Sequence, residues 1–186
     1  MKIIAGKNKG NKLKYLKDGS VRPTSHKVRE ALFDIIMENI KGAFLLDLFA
    51  GTGAVGIEAL SRGAKNEVFI DSNIKCIKTI EKNLEITKNK PFAVVFKKEY
   101  VQGLKILERK KYLFDYIFMD PPYNRGFANN TLMEISKLSL LKIDGIIVVQ
   151  HHKRELINSC FGNLHLIKQK KYSGSLLSFY KYVPSE

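Results

Sequence analysis

The chain has 186 residues, 45% of them apolar and 27% charged, which suits one globular domain with a sizeable core. Its formal net charge of +14 favours a polyanionic partner such as nucleic acid. The N-terminus turns basic after a few apolar residues, no apolar run reaches membrane-spanning length, and the two cysteines are isolated. We therefore expect a cytoplasmic protein without signal peptide, membrane span, disulfide or metal site.

Residues 1–41 are predicted to form a small basic extension, because they hold ten Lys and Arg against four acids. Residues 3–6 and 12–16 are predicted to form a small hairpin around a Lys/Asn/Gly turn. A helix is predicted to follow, capped by Thr24 or Ser25, with an apolar stripe at helical spacing. Arg22, Lys27 and Arg29 cluster at its start, and we favour contact with RNA phosphates or with a cofactor loop over plain surface charge.

A glycine loop follows the first apolar strand, at Gly51, Gly53 and Gly56. Between a strand and a helix, this spacing is typical of a nucleoside-cofactor site, for either a dinucleotide or S-adenosylmethionine. Asp71 ends the next apolar run, 20 residues after Gly51, where both kinds of site place an acid on the ribose. Asp47 is expected at the mouth of the site, where it would repel a pyrophosphate and attract the amino group of S-adenosylmethionine. The alternative is a tight turn without a ligand.

Strand and helix patterns alternate from residue 44 onward. Strands are predicted at 44–49, 67–71, 92–97, 115–120 and 145–151, and helices at 54–62, 73–87, 101–108 and 128–138. Continuous apolar strands indicate a parallel sheet covered on both faces. Two further strands, 164–172 and 176–183, predict an antiparallel hairpin. The sequence thus predicts a Rossmann-like α/β fold, with an extension at 1–41 and the main domain at 42–186.

A second motif, Asp120-Pro121-Pro122-Tyr123, directly follows the strand at 115–119. The prolines stiffen the turn and fix where its carbonyl groups point. The Asp120 carboxylate and the Pro121 carbonyl can accept both N–H bonds of an exocyclic base amine, and Tyr123 can stack on the base. The alternative is a turn that only ends the strand. Since parallel strands open ligand sites at their carboxyl ends, we expect both motifs to face one cleft.

The chain resembles the bacterial RsmD-type methyltransferases, and the resemblance covers nearly its whole length. It rests on the blocks IAG at residues 4–6, RPT at 22–24, VREALF at 28–33, DLFAGTG at 47–53, EALSRG at 58–63 and DPPY at 120–123. The resemblance implies a class I methyltransferase with a seven-stranded sheet, which methylates the N2 amine of a guanine in 16S rRNA with S-adenosylmethionine. It implies a target in the P-site region of the small ribosomal subunit, and preference for assembled particles. We expect a monomer.

The resemblance also assigns site residues. The expected cofactor contacts are Asp47, Phe49, Ala50, Gly51, Thr52, Gly53, Asp71, Ser72, Glu99 and Tyr100. The expected catalytic residues are Asp120, Pro121, Pro122 and Tyr123. The expected RNA contacts are Arg22, Thr24, Lys27, Arg29 and Arg125. Glu99 and Tyr100 are two candidates for contacting the adenine, and the pattern does not choose between them. Family members often carry an acid where this chain has Gln150-His151, so no role is assigned there.

Three other functions remain open at this point. The first is an amino-methyltransferase for adenine N6 or cytosine N4, in RNA or DNA, because nothing in the DPPY tetrapeptide selects guanine. The second is a non-catalytic RNA-binding module on the same fold, which intact cofactor and amine motifs disfavour. A nicotinamide enzyme comes last.

Overall fold

The computed structural model describes residues 1–16, 26–36, 40–172 and 174–183. Its helices are α1 (His26–Ile36), α2 (Ala54–Ser61), α3 (Ile74–Ile86), α4 (Tyr100–Arg109) and α5 (Phe127–Ser136), with a 3-10 turn at Lys90–Phe92. Its strands are β1 (Phe44–Leu48), β2 (Asn66–Asp71), β3 (Ala93–Lys97), β4 (Phe114–Met119), β5 (Leu141–His152), β6 (Cys160–Phe161), β7 (Leu164–Tyr172) and β8 (Ser175–Tyr182). Arg22, Thr24 and the predicted helix cap lie outside the described residues.

All these strands belong to one sheet, in the order β3-β2-β1-β4-β5-β8-β7-β6. Strands β1 to β5 run parallel to their neighbours, and β8, β7 and β6 are added antiparallel. The predicted Rossmann-like fold with a C-terminal antiparallel hairpin is confirmed. The two-residue β6 adds an eighth, minimal strand at the edge of the seven that were predicted. Placing β1 beside β4 brings the two sequence motifs to adjacent strand ends.

Two hydrophobic layers cover the faces of the sheet. One contains side chains of α1, α2 and α3, and the other contains side chains of α4 and α5. Because the central strands are buried on both faces, they read in the sequence as continuous apolar runs rather than as alternating ones. No helix within the described ranges is long and apolar enough to cross a membrane.

The N-terminal segment packs on α2 with little regular structure of its own. The predicted hairpin is present as a short antiparallel pairing around a bridge between Lys2 and Lys12. The backbone N–H groups of Leu13, Ile3 and Gly10 donate to the carbonyls of Met1, Asn11 and Ile3 at 2.9, 3.1 and 3.0 Å. The fully buried Glu58 of α2 accepts hydrogen bonds from the backbone N–H of Ile4 at 2.8 Å and of Ala5 at 2.9 Å. These two bonds tie the backbone of the hairpin to α2 and satisfy its outward N–H groups. The predicted division of the chain at residue 41 stays a prediction.

Arg29 is not an RNA contact, and that prediction is wrong. Its side chain is only 1% exposed, and Nη1 lies 3.8 Å from the Glu58 carboxylate. Nη2 donates to the Lys2 carbonyl at 3.0 Å. Burial lowers the pKa of Arg29, and the charge of Glu58 partly offsets that effect. The guanidinium therefore fastens the N-terminal segment to α1 and α2 from inside, where no phosphate reaches it.

Candidate active site

The two sequence motifs meet at one cleft at the carboxyl edge of the sheet. Strands β1 and β4 are parallel neighbours in register, with Leu48 beside Met119, so their following loops start side by side. The cleft between these loops has a volume of about 460 Å³. It is lined by Phe49, Gly51, Asp71, Ser72, Asn73, Cys76, Asp120, Pro121, Pro122 and Tyr123. The volume falls within the usual range of small-molecule sites.

The glycine loop turns sharply through left-handed backbone conformations. Gly51 has φ 55° and Gly53 has φ 74°, which glycine adopts without strain. Phe49 has φ 61°, an uncommon conformation for a residue with a Cβ. Such strain persists only where the surroundings enforce it, and it clusters at binding sites. Here it turns the Phe49 side chain into the cleft wall.

Asp71 braces the loop and also lines the cleft. Its Oδ2 accepts from the backbone N–H of Gly51 at 2.8 Å, and its Oδ1 accepts from that of Asn73 at 2.8 Å. Partial burial raises the pKa of Asp71, while these two hydrogen bonds and one from Cys76 act in the opposite direction. These three bonds leave one of the four lone-pair positions of the carboxylate, so Asp71 can still accept a hydrogen bond from a ligand hydroxyl.

Asp47 lies beneath the loop rather than at the mouth of the cleft, which corrects the expected placement. It is 2% exposed, and its Oδ2 accepts from the backbone N–H of Gly56 at 3.1 Å, in the first turn of α2. Burial is the main reason that the pKa of Asp47 is raised well above its usual value, and the charges of Asp120 and Asp71 add to it. Asp47 thus supports the loop from behind. The predicted cofactor contacts Ala50, Thr52 and Gly53 belong to the loop itself and are buried there.

Asn83 of α3 joins the glycine loop to the N-terminal segment. Its fully buried side chain donates through Nδ2 to the Thr52 carbonyl at 3.0 Å and to the Lys14 carbonyl at 3.1 Å. Its Oδ1 accepts from the backbone N–H of Lys14 at 2.7 Å. All three bonds are long-range, so sequence patterns gave no sign of them. The glycine loop is consequently fixed from the side of the N-terminal segment.

A narrow recess opens beside the main cleft and ends at the start of α4. It is lined by Phe49, Ile70, Asp71, Ser72, Lys98, Glu99 and Tyr100, so three residues are shared with the main cleft. The rings of Phe49 and Tyr100 lie 5.3 Å apart, and Phe127 packs about 6 Å from both. The structure thus places the predicted Glu99 and Tyr100 beside the cleft, and adds Phe127, which the sequence analysis missed.

Tyr123 is held by hydrogen bonds from other strands. Its hydroxyl accepts from Gln150 Nε2 at 2.7 Å, lies 3.4 Å from Ser175 Oγ, and donates to the Asp120 carboxylate. Burial, followed by the negative charge of Asp120, raises the pKa of Tyr123. The phenol therefore stays neutral and can donate to Asp120. The His152 ring lies 6.2 Å from the Tyr123 ring.

Several residues of this site were missed in the sequence. Asn73 and Cys76 line the cleft, and the only available signal was that Asn73 caps the helix that follows Asp71. Gln150 and Ser175 surround Tyr123 from strands that follow it by 27 and 52 residues. Neither forms a motif with DPPY, so only the pairing of β5 with β8 brings them together.

Two predicted RNA contacts are exposed within the described residues. Arg125 lies in the turn directly after Tyr123, and Lys27 lies in the first turn of α1. Both side chains are accessible to solvent, so both can reach a large polyanion. Their role in RNA binding stays a prediction.

Comparison with known proteins places these features in a family. The profile of the family described as "Conserved hypothetical protein 95" matches residues 1–181. Ribosomal RNA small subunit methyltransferase D of Haemophilus influenzae is 34% identical over 172 residues, covering 91% of this chain and 88% of that protein. The solved structure of a hypothetical protein from Thermus thermophilus superposes with a TM-score of 0.84 at 27% identity, over 97% of this chain and 99% of that one. The ribosomal protein L11 methylase of Lactobacillus delbrueckii shares the fold, with a TM-score of 0.67 at 18% identity over 85% of this chain and 80% of that one.

Proposed function

We propose a function for this chain, which belongs to the RsmD-type methyltransferase family. It methylates the N2 amine of a guanine in 16S rRNA with S-adenosylmethionine. The observation that carries the proposal is the shared cleft between the glycine loop and the DPPY turn. A methyl donor held by the first loop and an amine held by the second would meet there. We further propose that the protein acts as a monomer in the cytoplasm, on the small subunit or an assembly intermediate of it.

The lining of the cleft suits the cofactor. The partly buried Asp71 carboxylate can accept a bond from a ribose hydroxyl, since its bonds from Gly51, Asn73 and Cys76 leave one lone-pair position. The recess between Phe49 and Tyr100 offers aromatic walls to the adenine, and Glu99 is an exposed acceptor at its end. The cofactor supplies an electrophilic methyl group on a sulfonium.

Asp120 and Pro121 are placed to bind the reacting amine. A base amine is a poor nucleophile because its lone pair is delocalised into the ring. When the Asp120 carboxylate and the Pro121 carbonyl accept its two N–H bonds, the nitrogen pyramidalises and its lone pair is freed. The same acceptors stabilise the positive charge that develops on that nitrogen. Asp120 or water then takes the surplus proton.

Tyr123 adds binding energy for a base that has left its stack. Stacking on an aromatic ring contributes about 1–3 kcal/mol per base, comparable with the few kcal/mol needed to flip a base out. The hydrogen bond from Gln150 fixes the ring, and the hydroxyl in turn orients Asp120. Much of the rate acceleration would come from aligning the amine nitrogen, the methyl carbon and the sulfur within near-attack distance, rather than from strong acid–base chemistry.

The experiment is labelled methyl transfer to small subunits from cells that lack the enzyme, followed by mass spectrometry of the nucleosides. The proposal predicts label in N2-methylguanosine, and none with the Asp120→Ala variant. Label in N6-methyladenosine or N4-methylcytidine would replace the guanine assignment by another amino-methyltransferase. Cofactor binding without transfer to any RNA would favour the non-catalytic module.

A further inference from the structure

The C-terminal antiparallel hairpin carries positive charge without any acid. Residues 156–183 contain four lysines and no Asp or Glu. On β7, residues 167–171 are exposed, and three of them are lysines. Two more basic residues, Lys153 and Arg154, follow at the end of β5 and are also exposed. None of these residues was included among the predicted RNA contacts.

The tip of this hairpin lies against the DPPY turn. Ser175, at the start of β8, is paired with His152 of β5 and with Tyr172 of β7. Its hydroxyl is 3.4 Å from that of Tyr123, and the backbone N–H of Lys153 donates to the Gly174 carbonyl at 3.1 Å. The hairpin tip therefore forms one wall of the approach to the base pocket.

Four basic residues stand at this wall, and we name them the basic rim: Lys153, Arg154, Lys170 and Lys171. Lys171 is paired with Leu176 and Lys170 with Leu177, so both are within two residues of the Ser175 position along the ladder. The exposed Arg125, two residues after Tyr123, adds a further positive charge in the turn that follows the DPPY motif.

The charge of the basic rim is not neutralised within the described part of the chain. Lys142 pairs with Asp115 and Lys181 with Asp144, each at 2.8–2.9 Å, so lysines elsewhere on this half of the sheet do find acids. Among the described residues no carboxylate pairs with a member of the rim. The nearest acid in sequence, Glu155, has both carboxylate oxygens buried. Unpaired charge of one sign beside a cleft attracts a polyanion.

The lysines of β7 have a second possible role, because its outer edge pairs with β6 only at two positions. Lysines on an exposed edge prevent pairing with another sheet. That role does not account for Lys153 and Arg154, which lie in the turn after β5 and not on the free edge. Basic residues from two separate segments lie together at one corner of the sheet, which indicates a negatively charged ligand.

We infer that the basic rim binds backbone phosphates of the RNA next to the target nucleotide. The inference rests on the proposed function, since it presumes an RNA whose base enters the DPPY pocket. A nucleotide that is flipped into the pocket has a phosphate on each side, and both phosphates must lie close to the wall of the pocket. The rim and Arg125 would together hold the RNA strand beside the pocket.

The test compares two variants of equal charge change. Lys170→Gln with Lys171→Gln removes two rim charges, and Lys82→Gln with Lys110→Gln removes two exposed charges on α3 and at the end of α4, away from the cleft. The probe is a stem–loop RNA with a guanine in its single-stranded loop, titrated over a range of salt. The slope of log affinity against log salt should fall by about 1.4 for the rim variant, at about 0.7 per phosphate contact in single strands. It should stay at the wild-type value for the control, and both should bind S-adenosylhomocysteine like the wild type.

Equal slopes for the rim and control variants would overturn the inference. If the rim variant also self-associates in light scattering, its lysines only guard the edge of the sheet. Failure of the proposed function looks different, because the wild type itself would then transfer no methyl group to small subunits.

Discussion

Replacing Tyr123 by Phe separates the work of its hydroxyl from that of its ring. The hydroxyl accepts from Gln150 at 2.7 Å and donates to Asp120. Gln150 is 5% exposed, and its Oε1 has no hydrogen-bond partner in the described residues. The variant would leave the Gln150 side chain without its bond to the hydroxyl. A buried donor without a partner lowers the free energy of unfolding by about 1–3 kcal/mol. For a chain of this size, each kcal/mol of lost stability lowers Tm by about 2–4 °C.

Turnover should fall for a separate reason. Asp120 loses the donor that orients it, and a hydrogen bond to a charged group contributes about 1.5–3 kcal/mol. If about half of that is lost in the transition state, kcat falls about four- to twelvefold. RNA affinity should hardly change, because the ring still stacks. Tyr123→Leu is the matched variant, and it should also weaken RNA binding by about 1–3 kcal/mol.

A double variant tests the reasoning most sharply. Tyr123→Phe combined with Gln150→Leu removes both partners of one hydrogen bond, which is close to neutral for stability. We expect Tm to recover while kcat stays low, measured by calorimetry and by methyl transfer under saturating substrate. Wild-type turnover in Tyr123→Phe would refute the orienting role. Recovery of kcat together with Tm would show that the single variant acted only through stability.

Three other substitutions test separate parts of the structure. Asp120→Ala should abolish turnover while S-adenosylhomocysteine still binds in calorimetry, and loss of that binding would show that Asp120 serves the cofactor. Gly56→Ala would place a Cβ 2.4 Å from the Phe69 ring, so the free energy of unfolding in urea should fall by about 1–3 kcal/mol. An unchanged urea midpoint would contradict this close packing. Arg29→Met should destabilise the fold by about 1–3 kcal/mol, because the Lys2 carbonyl loses its donor while Glu58 keeps Arg62 at 2.8 Å, and it should leave the salt dependence of RNA binding unchanged; a flatter slope would restore Arg29 as a phosphate contact.

The position of the cleft could be predicted from sequence because it depends on topology. Strands that alternate with helices run parallel, so loops that follow apolar strands gather at one edge whatever their detailed shape. Asp71 and the DPPY turn were therefore predicted at the correct edge. The same reasoning placed Asp47 there, but it could not show that the carboxylate turns under the loop to Gly56.

Side-chain partners that are distant in sequence could not be predicted. Arg29 was assigned to the surface because it is charged, although it shares the buried face of α1 with Phe33 and Ile36, four and seven residues further on. That spacing was the available signal that Arg29 is buried. The single acid Glu58 within the otherwise apolar α2 was the signal for its buried partner. The bond between Gln150 and Tyr123 had no local signal, since it depends on where β5 ends relative to the loop after β4.

The central claim is that one cleft holds the methyl donor and the base amine together, and binding of a bisubstrate compound tests it most directly. The compound joins adenosine, through its 5′ carbon, to the N2 of guanosine by a linker of the length of the transferred methyl group. The account predicts that calorimetry finds it bound more tightly than either half, and that Asp71→Ala and Asp120→Ala each remove part of the gain. Affinity no greater than that of the adenosine half alone, in the wild type, would contradict it.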